Sequence, residues 1–419
     1  MNSKLRLHFH SDCEFFGGSE RLLPLLWSSE RLWDSYSLSF SYRRSPRYDE
    51  EVKNFLHPKL DTFTIFGEMP QQRSAGAPTS ALIAKDEKRF SKITEAWDLL
   101  LRYPRFLVDV FRLYRILRKV RPAVVHLNNG GFPGARSVRA GAVAARLAGC
   151  KRIVMTVNNI AYPYRSMGRI VDYPLDQLVK LCTNQFVTAS SAGRQALISA
   201  LRLKESRVRK ISNAVGEPQI GRSRDAVRLS QDVDQEVTVI GIVGILEARK
   251  GHAIFLEALA ALLVESPLLK SKIRVWFIGN GALESSLRDQ VQSQGLKDTV
   301  QFLGYRLDHL DFVNAMDIAV LPSLRNEDSP LATIEAMALS KPVLATKVAG
   351  LMEQVVEGHT GYLIEPGNSA DLSSRLKQLV VSRKIREEFG KAGRERYLEH
   401  FSAERFVFQY MSVYEDLPQ

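Results

Sequence analysis

The sequence predicts two doubly wound α/β domains, each a parallel sheet covered by helices on both faces. Three observations predict it. Short apolar runs alternate with helical patterns in both halves of the chain, the runs are apolar continuously rather than at every second residue, and a polar, aperiodic stretch divides the chain near its middle. Strand and helix in alternation require crossover connections and therefore parallel strands, and continuous apolarity means that both faces of each strand are buried.

In the first half, strands are expected at LRLHFH (5–10), SLSFSY (37–42), DTFTIFG (61–67), AVVHLNN (123–129), RIVMTVNN (152–159) and QFVTAS (185–190). Each ends in small or polar residues, as strands do where a ligand crevice lies outside their C-terminal ends. His8 and His10 alternate with apolar residues on the first strand, and His126 lies inside an apolar run, so all three read as core histidines. Residues 68–90, rich in Pro, Ala, Ser and charge, read as a long loop on the domain rim. A helix then runs from about Pro104 to Val120, with Arg105, Arg112, Arg115 and Lys119 on one face and Phe106, Val110, Leu113, Tyr114 and Leu117 on the other. A covering helix with its apolar side inward accounts for the pattern; a peripheral membrane contact through the basic face is the alternative.

The second half alternates more plainly. VTVIGIVG (237–244) precedes a helix from His252 to Leu263, RVWFIGNG (274–281) a helix beginning near Ala282, and VQFLGY (300–305) a short helix through DHLDFVNAM. DIAVLPS (317–323) leads to a helix beginning near Pro330, and PVLAT (342–346) follows. The divider GEPQIGRSRDAVRLSQDVDQE (216–236) lacks periodicity and reads as a hinge. The expected organisation is an N-terminal domain over 1–215, a linker over 216–236, a C-terminal domain over 237–395 and a helical segment over 396–419 packing back on the first domain. Two Rossmann-like domains then face each other across a cleft.

Composition bounds the function. With 419 residues, 45% hydrophobic and 25% charged, the chain has the make-up of an ordinary globular protein with full cores. Its three cysteines are scattered without a CxxC or Cys/His cluster, which points away from disulfides and zinc and toward a reducing cytoplasm. No uncharged apolar run approaches a bilayer span, so an integral membrane protein is not expected. The net charge of +12 is dispersed, without an aromatic-interleaved basic block, which argues against nucleic acid. The DVD triplet at 232–234 resembles a metal-binding DXD but follows no apolar strand, and no metal is expected there.

Four stretches carry chemistry. Gly17 and Gly18 follow the first strand and allow backbone amides to approach a phosphate at a helix start, although a tight turn explains them equally. Arg249 and Lys250 in GILEARKGH sit at a strand's C-terminal edge, where two cations can neutralise a diphosphate or simply form a solvated loop. Gly279 in GNGALE opens another turn into a helix. In RNEDSPLATIEAMALSKPVLAT, Ser329 is placed to cap a helix and Pro330 to start it, leaving the amides of Leu331, Ala332 and Thr333 for an anion. Glu335 falls in the apolar stripe of that helix, so it needs a partner: a ribose diol, or a buried cation that fixes packing. Glu327, just ahead of the helix, can accept hydrogen bonds from sugar hydroxyls.

The run from Glu327 to Glu335 followed by AMALSKPVLAT, with GILEARKG, FIGNGALE, GGSE and HTGYLIEPGN, resembles the family 4 nucleotide-sugar glycosyltransferases of the GT-B fold. The resemblance covers nearly the whole chain, densely over about 237–370 and sparsely over 30–120. It implies that Glu335 binds the ribose, that Glu327 faces the donor sugar, and that the backbone of Asp328, Ser329, Pro330 and Leu331 approaches sugar and phosphate. It further implies that Lys250 stabilises the diphosphate and that Gly18 lies by the phosphates from the opposite domain; by their own placement Arg249 and Gly17 are assigned to the same donor site, and Gly279 either to its lining or to a structural turn. Retention, no bound metal or cofactor, and a glycan, lipid-linked or small-molecule acceptor in polysaccharide or glycoconjugate synthesis complete the implied picture, with the enzyme in the cytoplasm or peripheral on the inner face of the membrane. Two positions depart from the family pattern: Ile245 stands where many members have arginine, and Asn158 where many have histidine. An amide hydrogen-bonds a hydroxyl but is no general base. These departures motivate two competing readings, a non-catalytic partner subunit of the same fold and a nucleotide-sugar epimerase.

Overall fold

The computed structural model describes residues 4–14, 16–65 and 81–416, with residues 81–100 described by their backbone alone. The chain divides into two units, one of Met1–Ile211 with Val407–Gln419 and the other of Ser212–Phe406.

The first unit is built on seven strands: β1 (Leu5–Ser11), β2 (Tyr36–Arg43), β3 (Asp61–Ile65), β4 (Val124–Asn129), β5 (Arg152–Val157), β6 (Gln185–Thr188) and β7 (Val208–Lys210). They lie in the order β3-β2-β1-β4-β5-β6-β7, and every pairing is parallel. The second unit has six: β8 (Thr238–Val243), β9 (Ile273–Ile278), β10 (Val300–Gly304), β11 (Ile318–Leu321), β12 (Val343–Thr346) and β13 (Gly361–Ile364). Their order is β10-β9-β8-β11-β12-β13, again all parallel. Both sheets therefore reverse their winding once, between β1 and β4 in one unit and between β8 and β11 in the other. In a doubly wound sheet that reversal opens a crevice beyond the C-terminal strand ends, which is where ligands bind.

Burial follows the pattern read from the sequence. All residues of β4, β6, β11 and β12 are buried. The buried histidines of β1 and β4 are paired, as buried polar groups must be. His8 bonds the hydroxyls of Ser39 and Ser41 at 2.8 Å each, and His10 reaches Ser41 at 2.9 Å and Ser137 at 3.0 Å. His126 lies between Tyr414 Oη at 2.7 Å and Thr156 Oγ1 at 2.8 Å, with the Tyr410 ring stacked on it. Both tyrosines belong to the helix Ala403–Glu415, so the chain end is pinned into the first unit's core.

Three expectations change. The loop expected over 68–90 is helical from Ala81, in a helix running unbroken to Val120, and its earlier part lies outside the described residues. Pro104 is therefore interior to that helix rather than its start. Its missing amide is a local cost, set against the burial of Phe106, Val110, Leu113 and Leu117. The segment 216–236 falls within the second unit and contains the helix Arg224–Leu229. It reads as a linker because its anchors are polar: Arg228 is fully buried, donating to the carbonyls of Ala315 (3.0 Å) and Val237 (2.9 Å) and to Asp317 (2.5 Å). Of the segment 396–419, the part up to Phe406 belongs to the second unit.

Candidate active site

In the second unit the site grows from the ends of β8 and β11. The chain leaving β8 turns through Ala248–Lys250 and enters the helix His252–Glu265 at Gly251, whose φ is +72°. A Cβ at Gly251 would stand 1.9 Å from the carbonyl oxygen of Pro322, so only glycine lets this turn lie against the end of β11. Leu324 N donates to Arg249 O at 2.7 Å and stitches the two loops together. On the other side Gly279, φ +146°, brings the end of β9 against the Gly244 backbone, and Leu246 N donates to Asn280 O at 3.0 Å. The predicted role of Gly279 in lining a ligand is thus joined by a packing role.

These loops deliver three predicted residues to one point. Lys250 Nζ lies 2.5 Å and Arg249 Nη1 3.2 Å from the same oxygen, Oε1 of Glu327, and Ser323 Oγ donates to it at 2.8 Å. Arg249 also pairs with Glu247 at 2.7 Å through Nε. The backbone ahead of Glu327 is bent at Asn326, φ +57°, a left-handed conformation that asparagine tolerates. Gly350 N donates to Glu327 O at 3.0 Å and fixes the loop from behind. Glu327 is buried while Lys250 and Arg249 are partly exposed, so both cations keep an open side. The helix after Gly251 begins with His252, buried and beside Lys250, and these two causes hold its pKa at about 4.

The helix Leu331–Ala338 begins as expected, but its cap differs. Pro330 is the N-cap and no side chain caps the helix. Ser329 falls one position too early for that role: its hydroxyl accepts from Gln354 Nε2 at 3.0 Å and its carbonyl from Asn213 Nδ2 at 2.7 Å. Asp328 beside it is buried. Glu335 is buried on this helix, and Oε1 is 3.2 Å from Nε2 of His309, the first residue of the helix His309–Ala315. His309 and Ser323 are site residues that the sequence reading missed. Ser323 is the last residue of one predicted strand and His309 lies four residues past another, and this place at strand ends is the signal that could have found them.

In the first unit the remaining predicted residues gather beyond β1, β4 and β5. Gly17 and Gly18 form a turn closed by Arg21 N to Gly17 O at 3.1 Å, ahead of the helix Leu22–Trp27. Glu20 is buried and accepts from Ser11 Oγ at 3.0 Å and Ser19 Oγ at 2.6 Å; burial raises its pKa, against those hydroxyl bonds. Asn128 Nδ2 donates to Ser11 Oγ at 3.2 Å, and Asn158 Nδ2 donates to Asn128 Oδ1 at 2.8 Å. A polar chain thus links Glu20, Ser11, Asn128 and Asn158 at the first unit's own winding reversal. Asn158 Oδ1 is buried and has no hydrogen-bond partner. Ile245, in the second unit, is exposed.

Comparison with known proteins identifies the family. The model of the family "Glycosyltransferase Family 4" matches residues 78–216, and that of "Glycosyl transferases group 1" matches residues 223–396. The chain is 26% identical over 317 residues to the UDP-Gal:alpha-D-GlcNAc-diphosphoundecaprenol alpha-1,3-galactosyltransferase of Escherichia coli, covering 74% of this chain and 79% of that one. It is 23% identical to the capsular polysaccharide biosynthesis glycosyltransferase CapM of Staphylococcus aureus, covering 74% and 80%. Among solved structures, Anabaena Alr3699/HepE in complex with UDP superposes with a TM-score of 0.75 at 18% identity, over 99% of this chain and 100% of that one. The chain belongs to the family 4 glycosyltransferases, enzymes of the GT-B fold that act on nucleotide sugars.

Proposed function

We propose that this enzyme transfers a hexose or a related sugar from a uridine or guanosine diphosphate donor to a glycan or lipid-linked acceptor, with retention and without a metal, in polysaccharide or glycoconjugate synthesis. The observation that carries this reading is the convergence of Lys250 and Arg249 on Glu327. The E. coli relative is named for a UDP-galactose donor and a diphosphoundecaprenol-linked acceptor, and the Anabaena structures hold UDP and UDP-glucose, which supports a uridine donor first.

In this reading the donor diphosphate takes Lys250 and Arg249 away from Glu327. The two cations then face developing negative charge, and Glu327 is released to accept hydrogen bonds from sugar hydroxyls. Glu335 binds the ribose diol, with its carboxylate held by His309. The uncapped amides that begin at Leu331, with the backbone of Asp328 to Pro330, meet sugar and phosphate. Gly17 and Gly18 allow close approach to the phosphates, and Gly279 lines the nucleotide.

The bond from the anomeric carbon to the diphosphate oxygen breaks, and its electron pair leaves on the diphosphate. The acceptor hydroxyl oxygen forms the new bond and loses a proton. Asn158 cannot take that proton, since an amide is no base, but its unpartnered Oδ1 can orient a hydroxyl. The departing diphosphate oxygen is then the base, and because it lies on the face the sugar has just left, attack on that face retains configuration. Lys250 and Arg249 supply the positive charge for the leaving group, so the reaction as proposed needs no metal.

The donor pool places the reaction in the cytoplasm and a lipid-linked acceptor places it at the inner membrane face. Among the described residues no helix is long and apolar enough to cross a membrane, and the contact we propose there is peripheral.

The test is incubation of the purified protein with labelled UDP- and GDP-sugars. One of them is bound or slowly hydrolysed, and Glu335→Ala abolishes this; undiminished binding in that variant removes the ribose assignment. Asn158 and Ile245 favour one competing reading, a non-catalytic partner subunit, which turnover by the isolated chain excludes. Product analysis separates transfer from epimerisation.

A further inference from the structure

The helix Met167–Cys182 buries charge and exposes apolar side chains. Its inner face carries Arg169, Asp172 and Asp176 beside the core residues Leu175, Val179 and Cys182, and its outer face carries Met167, Ile170, Tyr173, Leu178 and Leu181, all exposed, with Met167 at 71% and Leu181 at 76%. A helix covering a sheet in water ordinarily keeps its charged residues outside. The buried charges are not strays. Asp176 receives Arg169 at 2.9 Å, Arg139 at 3.0 Å and the Tyr164 hydroxyl at 2.9 Å, and Asp172 receives Arg102 at 3.1 Å. With both its acids and Arg169 consumed inside, the helix presents a mainly apolar row to the outside.

Arg102 and its neighbour Tyr103 extend that row onto the long helix Ala81–Val120. Arg102 donates to Gly168 O at 2.8 Å and Tyr103 Oη to Val171 O at 2.8 Å, so the two helices are tied together at this point. From Tyr103 the apolar row continues at helical spacing through Leu107 and Phe111, both more than 60% exposed. Arg115, one turn further on, and Arg118 and Lys119, about two turns on, are exposed too. Over residues 101–120 and 167–182 no acidic residue is exposed. Over 101–120 the sole acid is Asp109, buried against Arg43 and Arg136, and over 167–182 the two are Asp172 and Asp176.

A continuous apolar row flanked by cations and free of acids is complementary to one kind of surface, a bilayer with anionic headgroups. We propose that the helix Met167–Cys182 and the adjoining part of the long helix from Tyr103 to Lys119 form the face on which the first unit lies on an anionic membrane. Leu, Ile and Phe enter the interface and the arginines bind lipid phosphates. This rests on the reading that the enzyme works at the membrane, and adds which residues make the contact. As expected from sequence, Phe106, Val110, Leu113 and Leu117 of the long helix face inward and Arg105, Arg115 and Lys119 outward; Leu107 and Phe111 add apolar residues to that exposed basic side.

The test is flotation of the full chain with vesicles of phosphatidylcholine alone, or of phosphatidylcholine and phosphatidylglycerol in equal parts. It is run beside the double variants Ile170→Glu/Leu178→Glu and Arg115→Glu/Arg118→Glu, with thermal melting and UDP binding confirming that each is folded. The protein is expected to float with the anionic vesicles and not the neutral ones, more weakly as salt is raised, and each variant to lose at least about tenfold in binding. Flotation of the wild type with equal flotation of both variants overturns this surface and leaves the membrane reading in place. No flotation of the wild type overturns both. A wild type that is dimeric by light scattering, with a monomeric Ile170→Glu/Leu178→Glu variant, overturns the lipid in favour of a second copy of the chain.

Discussion

Lys250 holds its ammonium 2.5 Å from Glu327 Oε1, although 77 positions separate the two residues in the chain. The pair forms because β8 and β11 are neighbours in the sheet and each loop is anchored to the other's backbone. Glu327 has Arg249 and Ser323 as further partners, so removing the lysine leaves its carboxylate supported while taking charge from the diphosphate. Lys250→Ala should therefore fold normally and lower kcat by about 10²–10³ with a smaller change in donor affinity. Steady-state turnover checks this, and a loss of only a few fold would dismiss Lys250 as a transition-state group.

His309 stands behind Glu335 at 3.2 Å. If it sets the direction of that carboxylate, His309→Ala should weaken binding of a ribonucleotide about fivefold, the value of one hydrogen bond, and leave binding of the 2′-deoxynucleotide unchanged. His309→Gln, which keeps a donor, should recover part of the loss. Titration calorimetry with UDP and 2′-deoxy-UDP distinguishes this from general damage, which would weaken both alike.

Gly251 holds the turn that carries Lys250 against β11. Gly251→Ala combines a positive φ with a Cβ driven into the Pro322 carbonyl, 1.9 Å away. Backbone strain of this kind costs about 1–3 kcal/mol. The variant should melt at lower temperature and lose donor binding together, whereas Gly295→Ala, also at positive φ but with open space around it and far from the loop, should lose stability alone. Paired melting curves and UDP titrations decide.

Stability should fall as the solution is acidified, and the buried histidines set the window. His8 and His126 are lowered to about 3, and His10 and His252 to about 4, mainly by burial, from 6.5 in the unfolded chain. Hydroxyls and rings surround His8 and His126, His10 also faces Asp12, Arg43 and Asp109, and His252 faces Lys250. Because the folded pKa is the lower one, the unfolded chain takes up the protons first. The stability from keeping these rings neutral is whole above pH 6.5 and is lost as pH falls from 6.5 toward 4. Each ring contributes a slope of at most about 1.4 kcal/mol per pH unit there. Urea unfolding between those limits should show the decline, and His126→Gln should make it shallower by about one proton. An unaltered slope in that variant would exclude His126 as one of the groups.

Periodicity and residue chemistry alone determined much of this protein. Apolar runs on both faces required parallel strands, glycines and cations past the strand ends marked the loops, and Glu335 in an apolar stripe announced an acid in need of a partner. Those features are local, so neighbouring residues suffice to reveal them. What tertiary structure decided was which distant groups meet. His309 next to Glu335 and Ser323 next to Glu327 depend on strand order, which no local pattern encodes. The segment 216–236 looked like a hinge because a buried arginine such as Arg228, satisfied by the distant Ala315 carbonyl and Asp317, cannot be told from a solvated one by spacing. The helix Met167–Cys182 makes the same point, since its buried Asp172 and Asp176 find partners, Arg102 and Arg139, on other helices. Periodicity shows that a helix has two faces, and only the packing of the other helices against it determines which face meets the solvent.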